Sequence, residues 1–257
     1  MTNPKEPDLA RLYHLNSSNV RCRSMETELD WDNHPSRFRS YPGSERVPLT
    51  GRDFALDAPL GAALAGRHSV RAFAPGPMPL ESLGRLLFAS YGIRGITQFG
   101  EDGFHDRPAP SAGALYPLEL YVAAQDVAGL ADGVYHYDAP DHQLERLRAG
   151  RFQQELAGMT LGQEMVAATN LVVFICGVFE RTQWKYGQRG YRYVWMEAGH
   201  VAQNLYLVAG ALGLGATAVG GFFDEEVNRL LRLPPGEEDC LYLLCAGRSD
   251  ATGPPEK

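Results

Sequence analysis

The ten residues Asn170-Leu-Val-Val-Phe-Ile-Cys-Gly-Val-Phe179 form a continuous, uncharged apolar run. A strand with one wet face alternates apolar and polar side chains, so an unbroken run reads as a strand covered on both faces. Helices are therefore expected above and below its sheet. The chain is long enough to supply them: 257 residues, 44% apolar and 21% charged, are ordinary values for one sizeable core.

A second uncharged stretch, Val201 to Phe223, has the length of a membrane span. Gln203 and Asn204 sit near its start, and Gly210, Gly213, Gly215, Gly220 and Gly221 divide it into a helix and a strand-like piece. Neither piece could span alone, so the stretch reads as buried core.

The remaining periodicities fill in the layers. Leu80, Leu83, Leu87 and Tyr91 predict an amphipathic helix after the Pro75-Gly-Pro-Met-Pro79 break, followed by a Gly-, Asp- and Pro-rich loop to Pro110. Leu118–Ala124, Gly133–Asp138 and Gln143–Leu147 read as strands. The strongest helix runs from about Tyr191 to Leu212, stepping through Val194, Ala198, Val201, Leu205 and Val208 until Gly213 stops it. Ala216–Phe222 is expected as a strand, Asp224 as the cap of a short helix and Cys240–Gly247 as a final strand. Residues 1–60, with turn-rich Asp30–Arg37 and Tyr41–Ser44, read as an irregular arm lying on a 61–257 domain. The expected class is α+β, with one mixed or antiparallel central sheet flanked by helices.

Charge and cysteine usage remove several functions. With 24 basic against 31 acidic side chains, net −7, there is no broad basic surface for nucleic acid or anionic lipid. Cys22, Cys176, Cys240 and Cys245 show neither C-x-x-C spacing nor disulfide density. Together with an N-terminus lacking export-signal architecture, they point to a reducing cytoplasm. The histidines have no metal-binding spacing, and His200, on the long helix, reads as a satisfied core histidine. Gly210–Gly215 has the wrong spacing and context for a dinucleotide fingerprint, and no phosphate-loop motif of an NTPase is present.

Arg67-His68-Ser69-Val70-Arg71 puts two guanidinium groups and a hydroxyl in one short stretch. Such a set matches a phosphate dianion, although alone it reads more readily as a solvated basic loop. Order along the chain changes that balance. R-x-S-x-R is followed by Pro110-Ser-Ala-Gly-Ala-Leu-Tyr-Pro117, then by Gly213-Leu-Gly-Ala-Thr-Ala-Val-Gly-Gly221, and then by Gly247-Arg248. This series resembles the nitroreductase superfamily over about residues 67–248, and its middle motif resembles the SagB-type dehydrogenase branch.

The resemblance implies an FMN-binding homodimer of nitroreductase-like fold. Arg67 and Ser69 would grip the FMN phosphate and ribityl chain, His68 would belong to the same cofactor-binding set, Arg71 would approach the pyrimidine edge and Arg248 would be a C-terminal phosphate partner. Pro110, Ser111 and Ala112 would reach the flavin across the dimer, while Gly220 and Gly221 would bring backbone to its N5. A cation beside the pyrimidine edge makes chemical sense, because reduction places negative charge there. Lys185 and Tyr186, expected in a loop before the long helix, match a Lys-Tyr pair implicated in azoline oxidation. Either could serve as a base if its pKa were lowered.

The implied activity is dehydrogenation of thiazoline or oxazoline rings in a ribosomal peptide, with cyclodehydratase partners delivering the substrate. The alternatives are an NAD(P)H-dependent reductase of nitroaromatics or quinones, and a non-catalytic binding protein on the same fold.

Overall fold

The uncharged run at 171–178 is the middle of the structure, a computed structural model that describes residues 8–19, 29–99 and 102–249. In chain order the elements are α1 (Leu9–Asn16), β1 (Arg46–Pro48), α2 (Leu60–Gly66), β2 (Met78–Pro79), α3 (Leu80–Tyr91), β3 (Gly95–Phe99) and β4 (Asp102–Asp106). There follow β5 (Leu118–Ala124), β6 (Val127–Ala128), β7 (Gly133–Asp138), β8 (Gln143–Ala149), α4 (Gln153–Met159) and β9 (Leu171–Val178). The chain continues through α5 (Phe179–Tyr186), α6 (Gln188–Ala211), β10 (Gly215–Val219), α7 (Asp224–Leu231) and β11 (Glu238–Gly247).

Seven strands form one antiparallel sheet in the order β1-β8-β7-β5-β9-β11-β10. Alternation along β9 explains the apolar run. Leu171, Val173 and Ile175 face the layer of α3 and α6, while Val172, Phe174 and Cys176 face that of α4 and α7. Neighbouring β5 does the same, with Leu118, Leu120 and Val122 on one side and Tyr121 and Ala123 on the other. Full burial of each large apolar side chain contributes about 1.5–3 kcal/mol, so the central strands carry much of the folding drive.

Helix α6 buries Val194, Ala198, Val201, Leu205 and Val208, the expected stripe. No described helix is long and apolar enough to cross a membrane. Cys176, Cys240 and Cys245 are buried free thiols, and Cys22 lies outside the described residues.

Several local expectations are corrected. The stretch expected to be an irregular arm contains α1, whose Asp8 side chain accepts from the Arg11 amide, and β1, which pairs with β8 as an edge strand of the main sheet. The loop after α3 carries the β3–β4 hairpin. Lys185 and Tyr186 end helix α5 rather than lying in a loop; its buried residues are Arg181 and Thr182, so an apolar stripe never formed. Asp224 is the first residue of α7, after Phe223 at the cap position. His200 is exposed on α6, not a core histidine, because the buried stripe passes on either side of it at Ala198 and Val201.

The arm is tied down by a buried charge cluster on β5, β7, β8 and β11. His136 donates to Glu119 at 3.1 Å and to Glu145 at 3.0 Å. Arg181 donates to Glu119 at 2.7 Å and, from Nε, to the Ser36 carbonyl at 2.7 Å. From the arm, the Arg39 amide donates to Glu119, its guanidinium to Glu238, and the Tyr41 amide to Glu145. Burial opposes every charge here; at Glu119 and His136 the partners prevail, Arg181 and His136 bringing Glu119 down to about 2 and the two glutamates lifting His136 to about 9, whereas burial, with Glu119 nearby, raises Glu238.

Candidate functional site

The Pro110–Pro117 motif folds as a tight loop between β4 and β5. Gly113 (φ 64°), Ala114 (φ 53°) and Tyr116 (φ 46°) all adopt left-handed backbone. For the alanine and the tyrosine this costs on the order of 1–2 kcal/mol each. Strain of this kind persists only where surrounding contacts fix it. Here the Tyr116 amide donates to Ser111 Oγ at 2.9 Å, closing the loop on itself.

Gly113 lies directly under the end of α5. A Cβ there would stand 2.7 Å from the Tyr186 hydroxyl and 3.3 Å from Lys185 Nζ. The structure therefore brings two separately predicted groups together, the Lys-Tyr pair and the proline-flanked motif. Lys185 Nζ lies 5.6 Å from the centre of the Tyr186 ring, and Tyr186 meets Tyr193 of α6 edge-on at 5.2 Å. Burial, then Tyr193, raises the Tyr186 phenol, so it is a proton donor at neutral pH.

Behind the loop sits Glu197 of α6, 2% exposed. It accepts from Tyr91 Oη at 2.6 Å and is hydrogen-bonded by the Ser111 side chain. Arg107 is buried beside it, 4.4 Å from the Tyr91 ring centre and 5.3 Å from that of Tyr116, and donates to the Tyr91 carbonyl at 2.8 Å. Burial pushes the Glu197 carboxyl up to about 7, against the downward pull of Ser111, Tyr91 and Arg107. Sequence reading missed this group. Glu197 stands one place before Ala198 in the buried stripe of α6, and a lone acid on an otherwise apolar face was its available signal.

The R-x-S-x-R segment occupies a different place. Val70 donates to the Ala216 carbonyl and Ala74 to that of Arg248, so the segment runs along the ends of β10 and β11. A cleft of about 390 Å³ opens there, lined by Arg67, His68, Tyr206, Gly210, Gly215 and Ser249 among others. Gly215 permits the close approach, since a Cβ would meet Val70 at 2.7 Å and Ser249 at 2.8 Å. Ser69 Oγ lies 3.1 Å from Tyr206 Oη, which accepts from the Ala218 amide.

No described carboxylate pairs with Arg67 or Arg71. His68 Nδ1 bonds the Gly66 carbonyl at 2.8 Å, leaving a buried Nε2 without a partner. An anionic, oxygen-rich ligand suits this donor set. Arg71 is exposed on the same segment, and the Arg248 guanidinium lies against Gly76 instead of lining the cleft. Gly220 and Gly221 follow β10, with Gln163 donating to the Gly221 carbonyl. The described contacts within one chain bring Lys185 and Tyr186 to the Ser111 loop at Gly113, and gather Arg67, His68 and Ser69 around the cleft beside Tyr206.

Comparison with known proteins places this arrangement. The model of the nitroreductase family matches residues 64–248, the interval that holds both groups. The chain belongs to the nitroreductase family. Proteins of this family are flavin-dependent oxidoreductases, and this chain is an enzyme of that kind. A nitroreductase candidate of Methanocaldococcus jannaschii is 43% identical over 72% of the chain and 88% of its own length. The microcin B17-processing protein McbC of Escherichia coli is 33% identical over 49% of the chain and 48% of its own. A crystal structure of a nitroreductase-type protein from Anabaena variabilis superposes with a TM-score of 0.77 at 27% identity, covering 93% of this chain and 46% of that one. The chain thus spans about half the length of the last two.

Proposed function

We propose that this nitroreductase-family chain dehydrogenates thiazoline or oxazoline rings of a ribosomally made peptide to thiazoles or oxazoles, with FMN as its flavin. The observation that carries the reading is the seating of Lys185 and Tyr186 on Gly113 of the proline-flanked motif.

Arg67, His68, Ser69, Arg71 and Arg248 would hold the FMN, supported by the unpartnered His68 Nε2 and the absence of carboxylate partners for Arg67 and Arg71 among the described residues. Gly220 and Gly221 would bring backbone to its ring. When bound, FMN supplies a two-electron acceptor. Aromatisation of the azoline also releases a ring proton, and that step belongs to the protein. Tyr186, kept protonated by burial, orients the ring by donating a hydrogen bond, and Lys185, in its neutral amine form, takes the proton and becomes an ammonium.

The assembly proposed is a homodimer in which Pro110, Ser111 and Ala112 also serve the neighbouring subunit's flavin. Exposed Leu60 and Leu64 of α2 and Trp195 and Met196 of α6 offer the apolar surface for it. Cyclodehydratase partners that deliver the peptide, in a cytoplasmic setting, complete the proposal, in keeping with the processing role named for the microcin relative.

A second reading, an NAD(P)H-dependent reductase of small electrophiles, draws on the nitroreductase candidate at 43% identity. Single-turnover flavin reduction by an azoline peptide separates the two. Lys185→Ala and Tyr186→Phe should remain flavin-loaded and reducible by dithionite while losing about 10²- to 10⁴-fold in azoline-driven reduction. Wild-type rates in both variants would overturn the azoline reading in favour of the reductase.

A further inference from the structure

The loop that carries Gly113 is strained at Gly113, Ala114 and Tyr116, and one buried group reaches both of its ends. At the start, Ser111 Oγ accepts the Tyr116 amide at 2.9 Å and its hydroxyl bonds Glu197. At the finish, Tyr91 Oη accepts the Leu118 amide at 3.3 Å and its hydroxyl donates to Glu197 at 2.6 Å. Each hydroxyl has one proton, and an amide N–H can only donate to its oxygen. Both hydroxyl protons are thus directed at the same carboxyl group. An ionised carboxylate accepts both in full, whereas a protonated one weakens one oxygen as an acceptor and adds a donor that needs a partner of its own.

We propose that Glu197 is a positioning residue, tying both ends of the 111–118 loop so that Gly113 is held beneath Lys185 and Tyr186, and that the tie tightens when its carboxyl ionises. The proposal rests on the azoline reading only for what the loop positions; the tie itself stands on the hydrogen bonds. The groups facing Glu197 are Tyr91 from α3, Ser111 and Tyr116 from the loop, and Arg107 from the segment after β4. Burial raises both phenols, leaving them neutral, and Arg107 is the fixed positive charge. Burial also brings Glu197 to about 7, so its ionisation falls within the working range of the intact protein.

Hydrogen–deuterium exchange of the flavin-loaded full chain, corrected for intrinsic pH dependence, reads the tie directly at the Tyr116 and Leu118 amides. In the wild type, protection at both should rise about 3- to 10-fold between pH 6 and pH 8, while amides of β9 stay flat. Glu197→Gln should show low protection without that rise. Single-turnover azoline oxidation should follow the same pH profile in the wild type and lose it in the variant. If Glu197→Gln does not fold, Ser111→Ala should lower protection at Tyr116 alone and Tyr91→Phe at Leu118 alone. A pH-independent wild type, or a Glu197→Gln variant with wild-type protection and profile, overturns the proposal. A pH-dependent tie without azoline oxidation in the wild type would sink the azoline reading and leave the tie standing.

Discussion

The Tyr186 hydroxyl stands 2.7 Å from where a Cβ on Gly113 would be, so the residue at 113 and the phenol at 186 share one space. That relationship joins a loop motif to a helix end seventy-odd residues away and gives the first prediction. Gly113→Ala adds a methyl group into the phenol at a backbone of φ 64°. It should cost about 1–2 kcal/mol of stability and displace Tyr186, reducing azoline oxidation while leaving flavin content unchanged. Thermal melts, cofactor content and single-turnover rates on one preparation check this; full activity would show that Tyr186 needs no fixed seat.

Arg67→Ala should weaken FMN retention about 10- to 100-fold, the effect of losing charge-assisted hydrogen bonds to a phosphate. Arg71→Lys should lose less than Arg71→Ala, because a cation near the pyrimidine edge is kept. Fluorescence titration of the flavin-free protein gives the dissociation constants. Equal affinity across all three variants would remove the R-x-S-x-R segment from the cofactor site.

The buried cluster around His136 makes stability depend on pH in a definite direction. His136 rises from an ordinary 6.5 to about 9, so its contribution is complete below about 6.5 and is lost as pH climbs through 9. Glu119 falls from 4.5 to about 2, so its contribution is present above about 4.5 and is lost as pH drops through 2. Urea denaturation should therefore show a fall in stability from pH 7 to pH 10 that is smaller in His136→Gln. At pH 7 that variant should cost about 3–5 kcal/mol, since it removes the one cation shared by buried Glu119 and Glu145 and leaves them to Arg181 and the more distant Arg46.

The apolar surface of α2 and α6 leads to a further expectation. Trp195→Glu combined with Leu60→Asp should convert the proposed dimer to monomer without unfolding it, because both side chains are exposed within the single chain. Sedimentation velocity would report the change. A wild-type chain that sediments as a monomer would count against the dimer itself.

The layers were legible wherever burial was apolar. Leu80–Tyr91 forms the expected helix, and the run at 170–179 forms the central strand because both of its faces meet hydrocarbon. The reading failed where the buried face is polar. Helix α5 buries Arg181 against Glu119, a pairing invisible to hydrophobic periodicity, so the sequence alone predicts a loop for its last two residues. Glu197 shares the difficulty, for its partners Tyr91 and Ser111 are remote in sequence and are joined only by folding. Lys185 and Tyr186 were found by resemblance, and their neighbour Gly113 required coordinates.

The cluster that binds the arm also restricts how this chain can diverge or be recombined. Ser36, Arg39 and Tyr41 contribute one half of a set of bonds whose other half, Glu119, Glu145, Arg181 and Glu238, lies on the body. Grafting the first sixty residues of a relative onto this body would strand buried carboxylates unless the matching cation and amides came with them. The two segments are therefore expected to be inherited as a matched pair, and a chimera joined at residue 60 should fold only when both donors share the cluster.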